Sequence, residues 1–184
     1  MYLADGNHEN NLLRREDLRP CYEELIRRMT EDGAVHLSNA CITLPGAEEI
    51  RLCGLSLTHA MYRKVFRYSL QAEEIRGMLK EADPEHFTIL LAHHPGYFPA
   101  YAAYGADLVL SGHFHGGLVR FGGRGLIGAD LHLFPKYSGG CYRLGKSTMI
   151  VSCGLGSHTL PVRVNNPGEL TVVRLMGNTH GTGI

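Results

Sequence analysis

The sequence has no excess of charge of either sign: Lys+Arg and Asp+Glu stand at 18 each in 184 residues. That balance gives no global electrostatic reason for a nucleic-acid or membrane partner, so any affinity for a charged ligand must be local. There is no C-x-x-C pair. The five cysteines, Cys21, Cys41, Cys53, Cys141 and Cys153, are an odd number and form no redox or zinc motif. Cys41, Cys53 and Cys153 lie in or beside apolar runs, where a thiol behaves as a small core residue. All five are read as reduced and structural, which fits a reducing, cytoplasmic setting. No apolar run approaches the ~18 residues of a membrane span, and Met1–Asn10 is neither a span nor a signal peptide. Any leader or anchor would have to lie upstream of Met1. Internal repeats and low-complexity tracts are absent as well, which leaves a single domain over residues 1–184, long enough to bury a core.

What is present alternates between helix and strand patterns. The chain opens abruptly on Tyr2-Leu3-Ala4, which reads as the end of a strand, and passes at once into the loop Asp5-Gly6-Asn7-His8-Glu9. A helix is predicted over Asp17–Asp32, with Pro20 near its start, acids early, arginines late and Gly33 as its stop. Strands are predicted over Val35–Ser38, Ala40–Leu44 and Ile50–Leu55, and a second helix over Ala72–Ala82. Phe87–Ala92 is a continuous apolar run, the mark of a strand covered on both faces. A short helix near Pro99–Tyr104 leads to another buried strand, Asp107–Leu110, and late strands are expected at Gly140–Leu144, Thr148–Ser152 and Glu169–Leu175. The order suggests two packed sheets with helices outside, a layered α-β-β-α sandwich.

Three strands run directly into polar clusters rich in His and Gly: Gly6-Asn7-His8-Glu9, His93-His94-Pro95 and Ser111-Gly112-His113-Phe114-His115-Gly116-Gly117. The C-terminal ends of strands are where α/β sheets place their sites. His113 and His115, two apart, would point the same way in an extended segment and could bind one metal or two side by side; they could equally be two surface histidines in a Gly-rich turn. His93 closes a buried strand and needs a polar partner there, either a metal or a hydrogen bond. His94 is expected to face the other way. Asn7 could be a metal ligand or a helix cap. His36, His59, His86, His132 and His180 read as ordinary core or surface residues.

Together, in this order, G-N-H-E, a strand ending in H-x-P and a strand ending in G-H-x-H resemble the calcineurin-like metallophosphoesterases. The segments Leu91-Ala92-His93, Tyr97-Phe98-Pro99-Ala100-Tyr101, Leu133-Phe134-Pro135-Lys136-Tyr137, Gly154-Leu155-Gly156 and Pro161-Val162-Arg163 are similar to a bacterial branch of that superfamily. The resemblance implies a two-metal hydrolase of phosphate esters, with a bridging hydroxide as nucleophile and phosphodiesters as the expected small-molecule substrates. It implies that Asn7, His93 and His113 ligate one divalent ion and His115 the other, with Mn²⁺, Fe or Zn²⁺ suited to such ligands. His8 would protonate the leaving oxygen, and His158 and Arg163 would line the phosphate pocket.

The family's D-x-H and G-D-x-x-D blocks have no counterpart, since only Met1–Asp5 precede Gly6. The expectation is therefore a domain without its N-terminal strands, binding at most about one metal. Alternatives are a non-catalytic remnant, or one part of a split enzyme completed by an N-terminal fragment or partner chain.

Overall fold

The two apolar runs at the centre of the sequence become the central strands of a mixed six-stranded sheet. A computed structural model describes residues 1–62, 68–128, 133–156 and 162–176. In chain order the elements are β1 (Tyr2–Leu3), α1 (Asn7–Arg14), α2 (Arg19–Glu31), β2 (Val35–His36), β3 (Ala40–Leu44), β4 (Ala47–Leu55), α3 (Ala72–Leu79), β5 (Phe87–Ala92), α4 (Phe98–Tyr104) and β6 (Leu108–Ser111). There follow β7 (Val119–Phe121), β8 (Arg124–Ile127), β9 (Gly140–Leu144) and β10 (Ser147–Val151). The main sheet has the order β3-β4-β5-β6-β10-β9. Its four inner strands are parallel to one another, and the edge strands β3 and β9 are antiparallel to their neighbours. β1 and β2 form a short parallel pair, β7 and β8 an antiparallel hairpin.

Side chains alternate across the strands, and the two faces of the sheet fare differently. On one face Cys53, Leu55, Leu90, Ala92, Val109, Met149 and Val151 are buried against α3 and α4 through Ile75, Leu79, Phe98, Tyr101 and Tyr104. On the other, Leu37, Leu52, Ile89 and Leu108 are buried, but Ile42, Leu44, Ile50, Leu91, Leu110 and Ile150 are only partly covered.

Four expectations need correction. Asn7, His8 and Glu9, read as part of a loop, begin the helix α1: the Glu9 carboxylate turns back to accept the Gly6 N–H at 2.8 Å and so caps the first turn. Glu169–Leu175, read as a strand, pairs with none of the described strands, and Leu170 and Val172 face solvent. An alternating pattern is not a strand without an edge to bind. The hairpin β7–β8 was not foreseen at all. Finally, Cys41 and Cys53 are joined in a disulfide, because the β3–β4 register sets them directly opposite with Cα atoms 4.0 Å apart. The reduced reading survives for Cys21, Cys141 and the buried Cys153, and the cysteines no longer argue for a compartment. Of the expected second sheet, the described residues form only the pairs β1–β2 and β7–β8.

Candidate metal centre

Parallel neighbours end at the same edge of a sheet, and this alone brings two of the polar clusters together. β5 and β6 are adjacent and parallel. His93 follows β5 and Gly112 follows β6; the Gly112 N–H donates to the His93 carbonyl at 3.1 Å, and Ser111 Oγ to the Ala92 carbonyl at 2.6 Å. The third cluster arrives from β1. Its loop is pinned by Asp5, which is 2% exposed and accepts from Tyr22 Oη at 2.8 Å, Ser56 Oγ at 2.8 Å and His36 Nε2 at 2.9 Å. Burial pushes the Asp5 carboxyl up, but hydrogen bonds from Ser38, Tyr22, Ser56 and His36 outweigh it and hold the group below the ordinary carboxylate range.

The three loops converge on Asn7 Oδ1, which lies 3.0 Å from His93 Nε2 and 3.2 Å from His113 Nδ1. The two imidazole rings are 5.2 Å apart, centre to centre. Ligand atoms that share a transition metal through bonds of about 2.1 Å stand roughly 3.0–3.4 Å from one another. The two distances from Asn7 Oδ1 to the imidazole nitrogens fall in that range. Its donors are two imidazole nitrogens and an amide oxygen; among the described residues no group of three or more His, Cys, Asp and Glu gathers. Burial depresses the His93 pKa to about 4, with Glu9 working against the shift and His115 and His8 adding to it. His93 is thus neutral near pH 7, the form that coordinates a metal.

Two further rings frame the trio. His94 does not face away: its ring lies 4.6 Å from that of His113 at 32°, nearly stacked. Gly96 N–H donates to His94 Nδ1 at 3.0 Å, so the ring carries its proton on Nε2. Tyr62, from the 3₁₀ turn His59–Tyr62, packs its ring against His93, His94 and His113 at 6.3, 5.8 and 5.5 Å. The Tyr62 hydroxyl is buried without a hydrogen-bond partner among the described residues, and burial, with the charges of Glu9 and Asp5, raises its pKa. Nothing in the sequence marks Tyr62. His94 was discounted on an alternation that ends where Pro95 turns the chain.

His115, whose charge reaches His93, is held in a different way. The residues after β6 are not extended: His113 and His115 have φ of 70° and 50°, left-handed values that are uncommon outside glycine, followed by Gly116 and Gly117 at 74° and 86°. The two histidines each carry about 1–3 kcal/mol of strain, held by their surroundings. The holder is the C-terminal segment. Asn166, 3% exposed, donates from Nδ2 to the carbonyls of His115 at 2.7 Å and Gly117 at 2.6 Å. His115 Nδ1 lies 3.2 Å from the Gly156 carbonyl. A carbonyl only accepts, so Nδ1 carries the proton and Nε2 the lone pair.

The remaining candidates divide. His8, on the first turn of α1, is exposed next to Asn7. Arg163 turns its guanidinium to the backbone: it donates to the carbonyls of Asn166 at 2.7 Å, Cys153 at 3.1 Å, Gly154 at 3.2 Å, Gly156 at 2.5 Å and Pro167 at 3.0 Å. It is a clamp on the loops around His115, with its donors turned to backbone carbonyls. His158 lies outside the described residues.

Known proteins are similar to this chain in sequence. The chain is 36% identical over 142 residues to an uncharacterized metallophosphoesterase of Helicobacter pylori strain J99, an alignment spanning 76% of this chain and 35% of that protein. It is 33% identical over 102 residues to the uncharacterized metallophosphoesterase YkuE of Bacillus subtilis, covering 55% of this chain and 35% of the relative. A transmembrane protein with metallophosphoesterase domain from Bos taurus is 27% identical across 92% of this chain, over 37% of its own length. The chain thus spans little more than a third of the length of these relatives. No family model matches it, and no solved structure does. With the strand-end motifs, the matches put the chain in the calcineurin-like metallophosphoesterase superfamily.

Proposed function

We propose that the polypeptide acts as a metal-dependent phosphodiester hydrolase, to whose centre this chain gives Asn7, His93 and His113 for one divalent ion and His115 for a second. The observation that carries the reading is the convergence of His93 and His113 on Asn7 Oδ1 at 3.0 and 3.2 Å. Divalent ions such as Mn²⁺, Fe²⁺ or Zn²⁺ would supply Lewis-acid stabilisation of the phosphoryl group and an acidified water. The residues of the chain do the rest. Burial keeps His93 neutral, the Gly156 carbonyl fixes the His115 tautomer, and His8, exposed beside the trio, donates a proton to the departing oxygen.

The described trio holds no carboxylate, and the partly covered apolar residues Ile42, Leu91, Leu110 and Ile150 leave room for a second layer over the sheet. Both observations favour completion of the site and the sandwich by further polypeptide, in the same chain or from a partner. On this reading residues 1–184 alone do not turn over bis(p-nitrophenyl) phosphate with Mn²⁺. A longer form carrying the additional ligands does, and in it His8→Ala lowers turnover about 10²–10⁴-fold while metal content is kept. Metal-dependent turnover by the 184-residue chain, abolished by His115→Ala, would show that it completes its own site. Unchanged turnover in the long His8→Ala form would remove His8 from the mechanism. No helix among the described residues is long and apolar enough to cross a membrane.

A further inference from the structure

The charge balance of the whole chain hides a division. Every acidic residue except Asp130 and Glu169 lies at or before Asp107. Arg120, Arg124, Lys136, Arg143 and Lys146 all follow it, ahead of Glu169. The hairpin β7–β8 rises within this basic stretch, rooted directly behind His115: Leu118 N–H donates to the Ile127 carbonyl at 2.8 Å, closing the hairpin base one residue after Gly117. Gly122 and Gly123, with φ of 56° and 79°, make its tight tip.

The hairpin and its flank hold large apolar side chains out in water. Phe121, at the tip, is 74% exposed, and Leu133 and Phe134 are 63% and 72% exposed. All three lie along one short strand: Phe121 pairs with Arg124 at the start of β8, while Leu133 bridges Ile127 at its end and Phe134 N–H donates to the Leu126 carbonyl. Phe134 sits in left-handed backbone, φ 52°. Arg124 and Lys136 are exposed beside these residues and form no ion pair among the described residues.

We infer that the β7–β8 hairpin, with Leu133–Lys136 alongside, is a docking surface for an anionic lipid bilayer. Aromatic and aliphatic side chains on a protruding tip can enter the acyl boundary without a shaped partner, and neighbouring Arg and Lys remain at the level of anionic headgroups. A single-stranded nucleic acid would instead call for a basic groove with a stacking platform, whereas the apolar residues here stand exposed at both ends of β8, Phe121 at the tip and Leu133 and Phe134 beside Ile127 and Leu126. The docking does not depend on the proposed hydrolysis. If both hold, the His115 loop is brought to the headgroup layer, and the substrates are phosphate esters carried by lipids.

The test is co-sedimentation of the full 184-residue chain with vesicles of phosphatidylcholine alone and of phosphatidylcholine mixed with phosphatidylglycerol. Binding to the mixed vesicles only, weakened by added salt, is expected. Arg124→Gln with Lys136→Gln should lower that partition about thirtyfold, from roughly a factor of five per basic residue, and Phe121→Ser with Phe134→Ser by at least tenfold. Both pairs are surface changes, and an unchanged far-ultraviolet dichroism spectrum and melting temperature would show that the fold is kept. No binding to mixed vesicles, equal binding to both kinds, or full binding by both paired variants overturns the inference. So does displacement from vesicles by a single-stranded oligonucleotide at lower concentration than by free phosphatidylglycerol, which would make the surface a nucleic-acid site.

Discussion

The trio Asn7, His93 and His113 and the residue His115 are two parts of one candidate site that are held in different ways. Sheet geometry sets the first: β5 and β6 end side by side, and Asp5 ties the incoming loop to Tyr22, His36 and Ser56. Loop clamping sets the second: His115 rides on a strained left-handed turn fastened by Asn166, while Arg163 gathers the carbonyls behind it. A site of this kind can lose one half while keeping the other, and substitutions in the clamp should separate them.

The largest such effect is expected from Arg163→Ala. It strips five backbone carbonyls of a charged donor, which should lower stability by about 3 kcal/mol and release the His115 turn. Thermal or urea unfolding measures the loss, and metal uptake at the trio should persist in the folded protein. Loss of that uptake would mean the two halves are coupled. Asn166→Ala is next. Orphaning the His115 and Gly117 carbonyls at a buried position should cost about 2 kcal/mol, and the amide protons of Gly116 and Gly117 should then exchange faster while those of β5 do not. Uniform acceleration would contradict the division. The smallest effect is expected at Tyr62→Phe. Its hydroxyl has no partner among the described residues, so unfolding free energy should change by no more than about 1 kcal/mol, in the stabilising direction. A loss of stability beyond that would show that the hydroxyl is bonded.

The same division explains what could be read from sequence. Phe87–Ala92 announced a central strand because a doubly covered strand needs an unbroken apolar run, and His93, at its end, could be placed with it. That His93 and His113 come together follows from β5 and β6 being neighbouring parallel strands whose end loops share an edge; the grouping of Asn7 with them is what the family resemblance implies. His115 was harder: the H-x-H spacing suggested a common direction, but Gly116 and Gly117 let the chain turn left-handed. The role of Arg163 depends on contacts with Cys153, Gly154 and Gly156 that no local pattern encodes. The Cys41–Cys53 disulfide was missed for a similar reason, since only the β3–β4 register makes the two cysteines opposite. Tyr62 reaches the histidines from a 3₁₀ turn with no periodic signal.

The central claim is that Asn7, His93 and His113 form one metal site independent of His115. Equilibrium dialysis of the 184-residue chain with Zn²⁺, followed by metal analysis, tests it directly. The account predicts about one ion per chain, lost in His93→Ala and His113→Ala and kept in His115→Ala and His8→Ala. An absence of bound metal in the parent chain, or a loss in His115→Ala as complete as in His113→Ala, would contradict it.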